Sequence, residues 1–130
     1  MTLKNFNKAK NFYKNSEKSA IQSQDPISIV KTMVGELRRS MDKVILSTGI
    51  DSQRQVRTKY FSRSLVIIYT LQTTLDFDKG ENLAIKLFQI YEYCRQQLIK
   101  CFKEQVIDGA KKAITALEDI FTVSKVSKNA

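Results

Sequence analysis

Apolar residues recur along most of this chain at spacings of three and four, as one buried helical face requires. Val30, Val34, Leu37, Met41 and Val44 form the first stripe. Asp25-Pro26 precedes it as a start signal, because Asp caps free N–H groups and Pro suits the first helical position. Thr48-Gly49 stops it. A second helix is expected after a cap at Asp51 or Ser52. It carries two adjacent stripes, Val56-Tyr60-Ser64-Ile67-Leu71 and Phe61-Leu65-Ile68-Leu75. Asp78 with Glu81 reads as a capping box for the third helix. That helix has the cleanest stripe, Ala84, Leu87, Tyr91, Cys94, Leu98 and Cys101, widened by Leu83, Ile85, Phe88, Ile90 and Tyr93. The fourth carries Ile107, Ala110, Ile114, Leu117 and Phe121.

The first three helices should run about 20–25 residues, roughly 30–37 Å, and the fourth should be shorter. Short links between them force sequential helices antiparallel. The fold class is therefore all-α: an antiparallel up-down-up-down four-helix bundle with a short N-terminal arm or cap. Residues 1–24 are the flexible arm, 25–123 the bundle, and 124–130 a polar tail. A coiled-coil dimer would need longer, narrower seams than these capped segments show.

Composition agrees. Gly (4) and Pro (1) are scarce, and 42% of the 130 residues are hydrophobic, enough for one core. Cys94 and Cys101 share a helix face about 10 Å apart, too far for a disulfide, and read as small buried residues. Histidine is absent, which removes the commonest general base and metal ligand. No Gly-rich phosphate loop is present. The expectation is no enzyme, no cofactor and no metal, a cytoplasmic protein with no membrane insertion. The net charge of +9 admits an acidic protein, nucleic acid or an anionic membrane as partner. The Arg residues 38, 39, 54, 57, 63 and 95 scatter over several helices, so no nucleic acid is expected.

Leu75-Asp76, Gly80, Ala84, Leu87, Tyr91-Glu92-Tyr93 and Leu98 stand in an order and spacing that resembles the flagellar export chaperones, the FliS family. The likeness covers roughly residues 12–122. It begins at Tyr13 and Asp25-Pro26, where the family commonly has Ser-Pro, and ends at Leu117-Glu118-Asp119-Ile120-Phe121. Two departures stand out. Val34-Gly35-Glu36 occupies the place of a family Tyr-Asp-Gly, and Phe121 that of a terminal Trp.

The resemblance implies an export chaperone that binds the C-terminal segment of flagellin in the cytosol. Binding would prevent premature polymerisation and assist delivery to the flagellar type III export apparatus, with an export-gate component as a further partner. It also implies an N-terminal cap, for which Phe12 and Tyr13 are the candidate plug. The candidate flagellin-binding groove is Phe61, Leu65 and Ile68 with Ile85, Phe88 and Tyr93. Each position alone is accounted for by core packing. Together they exceed the three-in-seven apolar face that a bundle helix needs. The alternatives are a basic helical nucleic-acid-binding protein or a self-associating structural bundle.

Overall fold

The structure, a computed structural model, describes residues 26–78 and 80–129, with side chains described from Ile27 to Phe121 apart from Lys79. Four long helices follow one another: α1 (Pro26–Ser47), α2 (Arg54–Thr73), α3 (Glu81–Glu104) and α4 (Asp108–Asn129). A single 3-10 turn, Asp51–Gln53, leads into α2. The fourth helix has 22 residues and matches the first in length. It runs to Asn129 through what was expected to be a tail, because Lys and Ser allow a helix to continue when nothing stops it.

Each helix packs on its chain neighbours, and α1 also packs on α4, which closes a ring. Cross-links fix the directions. Arg63 near the middle of α2 reaches Glu36 of α1. The last turn of α3 meets the second turn of α2 through Phe102 and Phe61. The Cys94 thiol of α3 donates to the Ala113 carbonyl of α4. Successive helices thus run up, down, up, down, as the short links require.

The stripes become the core. Val34, Leu37, Met41 and Val44 meet Val66, Ile67, Ile68 and Leu71 of α2. Tyr91, Cys94, Leu98 and Cys101 of α3 meet Ala110, Ala113, Ile114 and Leu117 of α4. Ser64 is fully buried and donates to the Tyr60 carbonyl one turn back, so its hydroxyl is satisfied inside the core. Both cysteines are free and buried. Burial pushes the Cys94 thiol up to about 12.

The helix ends differ from the expected caps. α1 does begin at Pro26 and ends before Gly49, which holds φ +80°, the left-handed value that glycine adopts at least cost. Neither Asp51 nor Ser52 caps α2: both enter the 3-10 turn, and Gln53 stands at the cap without a side-chain bond. Asp78 does not cap α3 either. Its backbone N–H donates to the Asp76 carboxylate at 3.1 Å, which closes a turn in the linker, and Gly80 takes the cap position. The carbonyl that ends α1 and one in the link after it also accept from the next helix. Arg57 of α2 donates to the Ser47 carbonyl and, at 3.3 Å, to that of Ile50.

Candidate functional site

Phe61, Leu65, Ile68 and Gln72 follow one another at four, three and four residues, so they share a face of α2. On α3, Ile85, Phe88 and Glu92 share a face for the same reason. Two contacts show that these faces meet. The Gln72 amide donates to Glu92 at 3.3 Å, and Phe61 stacks on Phe102 with ring centroids 4.0 Å apart. The seam between α2 and α3 is therefore the candidate groove.

Its two ends differ in depth. Phe61 and Leu65 are half-buried and pack against the core. Ile68 is 0% exposed and belongs to the core itself. It was expected in the groove, but its position on α2 carries it inward, between Val66 and Leu71 in the buried cluster. At the other end Ile85 and Phe88 are each 40% exposed. Phe77 of the linker stands over Phe88, ring centroids 6.4 Å apart and tilted by 57°. Tyr93 is also exposed, but five residues beyond Phe88 it points about 140° around the helix and does not share this face. The structure thus brings together four of the six expected groove residues. Phe12 and Tyr13 lie outside the described residues.

Two contributors escaped the sequence reading. Phe102 lies fourteen residues, four turns, beyond Phe88 on the same side of α3, and that heptad spacing was available as a signal. Glu92 is the centre of a polar bridge across the seam. Arg95 grips it with Nε at 2.8 Å and Nη2 at 2.5 Å, and Gln72 and Gln96 donate as well. The Arg95 bonds, with smaller help from the two amides, hold the Glu92 carboxyl down at about 2 against the desolvation that opposes them. This bridge divides the strip into a shallow apolar end at Phe77, Ile85 and Phe88 and a deeper one at Phe61, Leu65 and Phe102.

The arrangement offers apolar contact area, aromatic anchors and one fixed polar landmark. Among the described residues no group of three His, Cys, Asp or Glu is placed to hold a metal ion. No helix among them is long and apolar enough to cross a membrane.

Comparison with known families supplies the identity of this architecture. The family model described as flagellar protein FliS matches residues 9–123. The chain belongs to the FliS family. FliS proteins are flagellar chaperones with a helical-bundle fold, and the four helices here are that bundle. No curated protein and no solved structure matches the chain. The departure at Val34-Gly35-Glu36 acquires a local meaning in this FliS bundle. Val34 is buried in the core, and Glu36 pairs with Arg39 at 2.6 Å and with Arg63 at 3.2 Å. Its carboxylate ties α1 to α2.

Proposed function

We propose that this FliS protein binds the C-terminal segment of flagellin along the α2–α3 seam in the cytosol. Occupancy keeps the segment from polymerising early and holds it ready for the flagellar export gate. One observation carries the reading: Ile85 and Phe88 stay exposed on the same helix face as Glu92, in line with the half-buried Phe61–Phe102 stack. A bundle that needed these side chains only for its own core would have covered them. A disordered segment that folds on binding buries about 1,000–3,000 Å² and gives up roughly 2–5 kcal/mol to ordering. A seam about 20 Å long between two antiparallel helices accepts an amphipathic helix in the helix-in-groove manner. In the same reading the N-terminal arm covers the seam through Phe12 and Tyr13 until cargo displaces it.

Calorimetry of the full chain with the C-terminal flagellin peptide, at low and high salt, tests the reading. The expected result is binding that changes little with salt, since apolar burial dominates. Duplex DNA should give weak binding, and any it gives should fall steeply with salt through counterion release. Absent peptide binding, with tight and salt-steep DNA binding, overturns the reading.

A further inference from the structure

The positive charge of the bundle is unequally shared between its two halves. Residues 26–73, spanning α1 and α2, hold eight Lys and Arg against three Asp and Glu, a net of +5. Residues 81–129, spanning α3 and α4, hold eight Lys and Arg against six Asp and Glu, a net of +2. Much of the excess gathers where α1 and α2 meet. Arg39 and Lys43 stand one turn apart on α1, and Lys59 and Arg63 one turn apart on the antiparallel α2. Cross-helix contacts join the two rows. Arg39 and Arg63 share the Glu36 carboxylate, at 2.6 and 3.2 Å. The Lys43 and Lys59 ammonium groups share the Tyr60 ring, 5.0 and 5.5 Å from its centroid. One carboxylate serves two guanidiniums, and one half-buried ring serves two exposed ammonium groups.

We propose that this α1–α2 seam docks an acidic helix of a partner protein, one with carboxylates a single turn apart. The cations repeat at four-residue intervals on both helices, about 6 Å along the axis. An Asp or Glu row at i, i+4 on a helix laid along the seam repeats at the same interval, so each carboxylate meets a cation from either row. Nucleic acid fits this surface less well. Two turns of helix make a short track for a backbone bearing a charge every few ångströms. The charge and the contacts at Tyr60 and Glu36 carry this inference, which does not depend on what fills the α2–α3 seam.

The full chain is titrated against a fluorescent peptide of alanines with Glu at every fourth position, and against one of the same composition with the Glu residues scattered. The patterned peptide should bind about tenfold more tightly, and added salt should weaken it. Lys43→Glu with Lys59→Glu should lower its affinity by about tenfold or more, and the milder Lys43→Gln with Lys59→Gln by about fivefold. Lys100→Glu with Lys111→Glu, the same charge change on α3 and α4, should shift affinity by less than about twofold. All three variants alter exposed side chains and should melt like the parent. Equal binding of the two peptides, or equal loss in the α1–α2 and α3–α4 charge reversals, overturns the proposal in favour of bulk charge. A single-stranded RNA oligonucleotide that binds more tightly than the patterned peptide, and is released by the Lys43 and Lys59 reversals, overturns it in favour of a nucleic-acid site.

Discussion

Phe61 of α2 lies flat against Phe102 of α3, ring planes 7° from parallel. The contact joins the early part of one helix to the last turn of another and closes the deep end of the candidate groove. Both rings are half-buried. Aromatic pairs contribute about 0.5–1.5 kcal/mol beyond the area they bury. A double-mutant cycle of Phe61→Leu and Phe102→Leu, read by urea unfolding, should return a coupling energy in that range. A coupling of zero would show that the rings pack independently.

Ile68 and Leu65 should part company on substitution. Ile68→Asp places an unpaired carboxylate in the closed core and should cost several kcal/mol, enough to collapse the thermal transition. Ile85→Asp and Phe88→Asp alter exposed positions and should keep the melting temperature within a few degrees while abolishing peptide binding. Leu65→Asp should fall between them. Circular-dichroism melts alongside calorimetry separate these outcomes. Retained peptide binding in folded Ile85→Asp and Phe88→Asp would remove the shallow end from the site.

Gln105 ends α3 with φ +58°, a left-handed conformation that strains a residue with a Cβ. Gln105→Gly should relieve the strain and raise stability by roughly 1 kcal/mol, a rise of several degrees in melting temperature. Gly49→Ala, at φ +80°, should act in the opposite sense. Thermal melts of both variants check the pair.

Glu92 makes stability depend on acid. Its folded-state value is lowered from 4.5 to about 2, chiefly by the Arg95 hydrogen bonds. A depressed carboxylate contributes stability above its unfolded value and loses that contribution as pH falls through the folded one. The loss should therefore develop between pH 4.5 and about 2. Glu92→Gln should lower the melting temperature at neutral pH and flatten its decline across that acid window. Its exposure and the surrounding solvent keep the effect modest. A parallel decline in both proteins would show that Glu92 is not the group responsible.

The N-terminal arm should behave as a competitor for the groove. If Phe12 and Tyr13 cover it, apparent affinity is reduced by the covered fraction. Removal of residues 1–18 should then tighten peptide binding, increase self-association, or both. Phe12→Ser with Tyr13→Ser should reproduce most of that effect while leaving the lysines in place. Unchanged affinity and sedimentation in both variants would leave the arm without this role.

Much of the bundle could be read from residue spacing alone. The stripe Val34-Leu37-Met41-Val44 and the stripe Ala84-Tyr91-Cys94-Leu98-Cys101 are the buried faces of α1 and α3, because a helix repeats every 3.6 residues whatever surrounds it. The short links then left antiparallel packing as the only close solution. Spacing could not say which side of a broad apolar face turns inward. Phe61, Leu65 and Ile68 belong to one stripe, yet only Ile68 is sealed off, because burial depends on where α1 and α3 stand around α2. Tyr93 read as a neighbour of Phe88 by chemistry and proved to lie on another side by angle. Caps failed for a related reason: Asp51, Ser52 and Asp78 are good cap residues, but turns in the linkers took them first. Glu92 and Arg95 are a local pair, three residues apart, and their bond could be anticipated. That Gln72 joins them across the seam, and that Glu36 and Tyr60 gather cations from two helices, depends on which helices become neighbours. Those relationships belong to the tertiary structure, since residues distant in the chain meet only after the core has set the helices side by side.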